Sequence, residues 1–139
     1  MKIATIAAVV ALFAAGTASA SPVNLITNGN FETVATGYTF NSGFKVINSG
    51  SSALTGWTVG ASSVDLIRNA YNAIDGYSVD MLGTPGPGFL SQSFSVIAGQ
   101  TYNLSFDMAR NSGGPAGQGV AVSFGGVAGN FYSTAAASN

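Results

Sequence analysis

The clearest pattern in the chain is a strict alternation over Thr101–Met108. Tyr102, Leu104, Phe106 and Met108 fall on one side; Thr101, Asn103, Ser105 and Asp107 fall on the other. Successive side chains of a strand point to opposite faces, so this period predicts a strand with one dry and one wet face. Shorter alternations predict strands at Trp57–Val59, Val64–Leu66, Tyr77–Met81, Leu90–Val96 and Val120–Phe124, and Phe44 with Val46 suggests another. Turn-forming residues separate them. Asp75-Gly76 precedes Tyr77, Ala98-Gly99-Gln100 precedes the best strand, and Gly83–Gly88 and Asn111–Gly119 read as loops. Helical periodicity is nearly absent; Leu66–Ile74 is a weak helical candidate. Short half-wet strands divided by Gly-rich turns predict an all-β chain. Its economical arrangement is a sandwich, which buries the two dry faces against each other. No internal repeat and no interdomain linker is visible.

The N-terminus follows a different pattern. Lys2 precedes an uninterrupted apolar run from Ile6 to Ala15, and Ala18-Ser19-Ala20 supplies the small-x-small motif of signal-peptidase substrates. Residues 1–20 therefore read as a secretory signal peptide and residues 21–139 as one β-sandwich domain. The apolar run is too short for a membrane span, which needs about 20 residues. The expected location is secreted, extracellular or in the cell envelope, and the short alanine-rich leader suggests a bacterial source.

Charge and composition narrow the chemistry. Only 6% of residues are charged, with 4 Lys+Arg against 5 Asp+Glu. No basic patch is present to bind nucleic acid. Histidine and cysteine are both absent. Ser-His-Asp and Cys-His catalysis are thereby excluded, and the commonest transition-metal ligand is missing. A non-enzymatic protein without a cofactor is the expectation.

The most ligand-like stretch is Arg68–Asp75. Arg68, Asn69, Tyr71 and Asp75 put donors, acceptors and a stacking ring on one connection. Sugar sites need that mixture, because each hydroxyl both donates and accepts. The same stretch also reads as a solvated loop ending in an Asp-Gly turn. Trp57, the single tryptophan, could stack on a sugar, but it shares a face with Val59 and fits the core better. Asp65, Asp80 and Asp107 occupy polar phases of their strands and read as solvated carboxylates. Gln92 shares the phase of Leu90, Phe94 and Val96; it rotates out at a bulge, hydrogen-bonds in the core, or contacts a ligand in the sandwich concavity. Asn103-Leu104-Ser105 fits a glycosylation sequon, disregarded within a strand of a bacterial protein.

Several ordered motifs suggest a family. They run from Asn24-Leu25-Ile26-Thr27-Asn28-Gly29-Asn30-Phe31-Glu32 through Leu54–Val59, Ser63–Ile67, Asp75–Met81 and Leu90–Phe94 to Ala98–Asp107. In this order they resemble the choice-of-anchor C family of secreted bacterial proteins. That family is similar to plant cell-wall proteins of a domain family of unknown function, number 642. The resemblance implies a galactose-binding-like jelly roll, a fold shared with many carbohydrate-binding modules. It also implies a domain that continues into closing strands, so the sandwich is expected to be incomplete at the C-terminus. Related jelly rolls hold a structural calcium near such a Phe-Glu pair, which nominates Asn28, Asn30 and Glu32; the alternative for Glu32 is a turn acid accepting backbone N–H groups. The functional expectation is binding of cell-wall or extracellular polysaccharide. The alternative is a structural or adhesive protein with protein partners or self-association.

Overall fold

The computed structural model describes residues 2–5, 23–40, 43–71, 73–74, 76–110 and 119–132. These residues form nine strands and no helix: β1 (Lys2–Thr5), β2 (Phe44–Asn48), β3 (Thr58–Ala61), β4 (Ser63–Arg68), β5 (Tyr77–Asp80), β6 (Gly88–Ser91), β7 (Asp107–Arg110), β8 (Gly119–Phe124) and β9 (Val127–Tyr132). One sheet has five strands in the order β2-β4-β5-β1-β7; β3-β6 and β8-β9 form two smaller sheets, and every pairing is antiparallel. The all-β sandwich expected from the alternation is what the chain forms.

The core lies between one face of the large sheet and β3 with the preceding segment. Ile47, Val64, Leu66 and Val79 meet Phe31, Ala53, Leu54, Trp57 and Val59 there, all buried. The chain passes from β3 in one sheet to β4 in another across Ala61 and Ser62. Ala61 takes a left-handed φ of 60° to make that change of direction. Gly60 pairs with Phe89 across β3-β6, and any Cβ on Gly60 would collide with the Phe89 ring. The ring thus covers the glycine, which fixes the residue choice.

Several expectations change. Only Asp107 and Met108 of the predicted 101–108 strand belong to β7, and the 90–96 strand stops at Ser91. Burial still alternates along 101–108. The inward phase packs aromatic rings rather than pairing backbone: Phe94 and Tyr102 contact Phe124, and Phe106 meets Phe131 edge-on at 4.8 Å. Alternation reports half-burial, and here the half-buried segment lies under the β8-β9 hairpin. Leu66–Arg68 completes β4 instead of starting a helix. Strand β9 carries Tyr132 and was not predicted. Its turn is Gly125-Gly126, with φ of 56° and 84° at the two residues. A two-residue hairpin of type I′ needs positive φ at both central positions, and paired glycines supply it.

The backbone of Lys2–Thr5 lies inside the large sheet. Ile3 is opposite Asp80 on β5 and Ala109 on β7; Ala4 is opposite Val79 and Met108. A segment expected to leave with the leader therefore bridges two strands of the domain.

Candidate functional site

At one end of the large sheet, β2 begins, β4 ends and β5 begins. The connection from β4 to β5 is the Arg68–Asp75 stretch. Its described residues are held by specific contacts. Arg68 N donates to the Gly43 carbonyl at 2.9 Å, and Ala73 N donates to Ala70 O at 3.0 Å. A Cβ on Gly43 would stand 2.6 Å from the Ala70 Cβ, so glycine lets the two segments touch. Asn69 and Tyr71 both take φ of 52°. Left-handed backbone at non-glycine residues costs free energy and persists where the surroundings enforce it, often at binding loops. The Ser78 hydroxyl closes the loop, accepting from Ile74 N at 2.6 Å.

Aromatic rings and cations gather at this end. The Tyr71 ring is 42% exposed and meets Phe44 edge-on at 5.9 Å. The exposed Arg68 guanidinium lies 5.4 Å from the Tyr77 ring centroid, and Phe40 stacks on the same ring at 5.4 Å. Lys45 Nζ sits 5.7 Å from the Tyr38 centroid. Glu32 reaches the site as well: its Oε1 accepts from Tyr77 N at 2.6 Å, in space that Gly76 leaves open. Arg68 and Glu32 thus both meet Tyr77, while Tyr71 packs on Phe44 and Asn69 lies between Arg68 and Tyr71 on the connection; Asp75 lies outside the described residues. Sequence reasoning missed Tyr38, Phe40, Phe44, Lys45 and Tyr77 as site residues. The available signal was the aromatic spacing 38, 40, 44 on a segment that must fold back along the sheet.

Asn28 and Asn30 have other partners. Asn28 Nδ2 donates to Thr33 O and Thr55 O, and its Oδ1 accepts from Thr33 N at 2.8 Å. Its carbonyl accepts from Trp57 Nε1 at 2.9 Å and from Phe31 N at 3.1 Å. Asn30 Oδ1 accepts from Glu32 N at 3.4 Å. A calcium ion takes six to eight oxygens. These three side chains turn their oxygens to three different backbone amides, a set that does not fit a shared ion. Among the described residues no three acidic, histidine or cysteine side chains cluster.

Two carboxylates expected on the surface are buried. Asp65 and Asp80 are direct cross-strand partners on β4 and β5, 1% and 0% exposed. Asp65 accepts from Thr84 N at 3.1 Å and Thr84 Oγ1 at 2.9 Å; Asp80 accepts from Leu82 N at 2.9 Å. Ser63 Oγ donates to the carbonyls of Thr84 and Gly86. These side chains satisfy the backbone of a loop folded back over the sheet, as buried polar groups must be. The polar phase of the strands is therefore covered by loop rather than water. Asp107 is exposed as expected.

Gln92 is half-buried and points inward. Its amide donates to Thr27 O and Gly56 O and accepts from Thr27 N, so it replaces a backbone partner for Thr27. Beside it runs an apolar cleft of about 420 Å³ between β6 and β8, lined by Trp57, Leu90, Phe94 and Phe124 among others. The cleft offers little polarity for a sugar. Trp57 is 8% exposed and packs on Phe31 at 5.5 Å, which makes it a core residue.

Comparison with known proteins sets these features in a lineage. Over 93 residues the chain is 31% identical to halomucin of Haloquadratum walsbyi (strain DSM 16790 / HBSQ001), covering 66% of this chain and 1% of that protein. The chain thus spans only about a hundredth of that relative's length. No solved structure matches. The family described as "Protein of unknown function (DUF642)" matches residues 24–138, from the opening Asn24 through the connection between β4 and β5 and the β8-β9 hairpin, and the chain belongs to that family.

Proposed function

We propose that this is an exported, non-catalytic protein that binds polysaccharide at the cell surface through the sheet end around Tyr71. One observation carries the reading: an exposed aromatic ring on a loop of strained backbone, three residues after an exposed arginine whose guanidinium lies on a second ring. Sugars bind where apolar C–H faces meet an aromatic plane and hydroxyls meet fixed polar groups. Resemblance to the choice-of-anchor C proteins, with their galactose-binding-like jelly roll, supports it. So does similarity to the protein named halomucin, which also supports an extracellular location. The leader-like residues 1–20 fit the same picture. Affinity electrophoresis against a panel of soluble cell-wall polysaccharides tests it. Retention should be weak, and Tyr71→Ala should abolish it while leaving the circular dichroism spectrum unchanged. Absence of retention for every polysaccharide refutes the proposal.

A second reading is favoured by a separate feature. Strand β9 lies in a two-stranded sheet and exposes Val127 (74%), Phe131 (43%) and Tyr132 (64%). An apolar strand edge of this kind pairs readily with another chain. Defined oligomers in light scattering, lost in Phe131→Lys, together with no glycan retention, would put the adhesive reading in its place.

A further inference from the structure

The glycan reading leaves open which sugars are bound, and the cations at the sheet end narrow it. The chain has only 4 Lys and Arg residues. One is Lys2, and Arg110 lies on β7 at the other side of the large sheet. The remaining two, Lys45 and Arg68, sit on the same sheet face in neighbouring rows. Lys45 is opposite Leu66 on β4, and Arg68 follows two residues later on that strand. Diagonal neighbours of this kind stand roughly 7–8 Å apart.

Each of these cations rests on an aromatic ring, Lys45 on Tyr38 and Arg68 on Tyr77. A ring face attracts a cation and orders it without neutralising it. Neither meets a carboxylate among the described residues. Glu32, a described acid that reaches this cluster, directs an oxygen to Tyr77 N instead. The arrangement therefore holds two ordered positive charges whose N–H groups remain available, at the sheet end where the exposed Tyr71 ring packs on Phe44. Arg68 in particular keeps the planar fork that matches a carboxylate or sulfate in two parallel hydrogen bonds.

Building on the glycan-binding reading, we infer that the ligand is an acidic polysaccharide. Arg68 receives the anionic group and Lys45 contributes a second positive charge, while Tyr71 at the rim offers a stacking ring to a neighbouring sugar of the same polysaccharide. Both uronate carboxylates and sulfate esters offer this chemistry. The test uses affinity electrophoresis of the full chain in gels containing alginate, dextran sulfate or neutral dextran. Retention in alginate, dextran sulfate or both, and not in dextran, supports the inference; the gel that retards identifies carboxylate, sulfate or either. Arg68→Gln should weaken retention at least tenfold, Lys45→Gln less, and Arg68→Lys should retain part of it, all with unchanged circular dichroism. Added salt should reduce retention, because exposed charge pairs are screened. Retention in neutral dextran that survives Arg68→Gln overturns the acidic-ligand inference and leaves glycan binding standing. Retention in none of the three, with binding to other neutral polysaccharides, also overturns it. Binding to no polysaccharide at all refutes both.

Discussion

Trp57 separates a core from a binding surface, and the structure sets the size of the effect. The ring is buried against Phe31 and donates Nε1–H to the carbonyl of Asn28. Replacing a buried Trp by Ala removes its transfer free energy and leaves a cavity, typically about 3–5 kcal/mol. The total stability of a domain is about 5–15 kcal/mol. Trp57→Ala should therefore lower the midpoint of thermal unfolding by about 12–20 °C, at about 4 °C per kcal/mol for a chain of this length, or prevent folding. Trp57→Phe distinguishes ring from hydrogen bond. It keeps an aromatic contact with Phe31, and Asn28 O still accepts from Phe31 N, so no carbonyl is orphaned. The loss should stay near that of one net hydrogen bond plus a little volume, about 1–2 kcal/mol. Thermal unfolding followed by circular dichroism gives both numbers. A Trp57→Ala protein that melts within about 4 °C of the wild type, yet no longer binds polysaccharide, would refute the core assignment and move the site to the other side of β3.

The remaining predictions concern the loop, the metal and the leader. Gly43→Ala forces a Cβ against Ala70 at a position with φ of 79°, so it should displace the 69–71 loop, destabilise by about 1–3 kcal/mol and reduce glycan retention; unchanged retention would show that the loop conformation is irrelevant to binding. Millimolar calcium should leave the melting temperature unchanged, since the oxygens of Asn28, Asn30 and Glu32 face backbone amides; a rise that Glu32→Gln abolishes would restore the metal site. Processed protein from medium or envelope should begin at or near Ser21 by N-terminal sequencing. A protein starting at Ser21 should melt below the full chain, or associate, because β5 and β7 lose the strand between them; equal midpoints in strictly monomeric samples would show that Lys2–Thr5 adds nothing to the sheet.

Much of the fold was legible because strands advertise which face is dry. Val59, Val64, Leu66, Val79 and Trp57 read as inward from the sequence and are buried. What alternation does not encode is the backbone partner. Residues 101–106 keep the period of a strand while their inward side chains, Tyr102 and Phe106, pack on Phe124 and Phe131. Nor does it say what covers the polar phase. Asp65 and Asp80 follow the strand rule for outward residues, yet the 82–87 loop returns over them and takes their oxygens. Such coverage depends on contacts made 19 residues away for Asp65 and Thr84, beyond any local pattern. Gln92 was readable as an inward polar residue needing a partner, although its partner Thr27 lies 65 residues off.

The candidate site shows the same division between local and distant information. Arg68, Asn69 and Tyr71 could be picked from one stretch, because mixed polar and aromatic residues on a short connection stand out locally. The rings that make the stretch a surface could not. Phe40 and Tyr38 come from a segment before β2, Tyr77 opens β5, and Glu32 arrives from the opening motif to cap the Tyr77 amide. They converge because the ladder stops there: β4 ends and β5 begins, and the sheet offers a rigid rim with no further strand pairing to satisfy. Loops on such a rim can hold strained conformations at little cost to the core. The strain at Asn69 and Tyr71 is therefore informative, since a loop free to relax would not keep two adjacent-but-one residues in left-handed backbone. Gly43 packed under Ala70 and the Ser78 hydroxyl closing on Ile74 are what enforce it. A solvated connection needs neither contact, and their presence is the physical reason the proposed binding is assigned to this rim rather than to the apolar cleft beside Trp57.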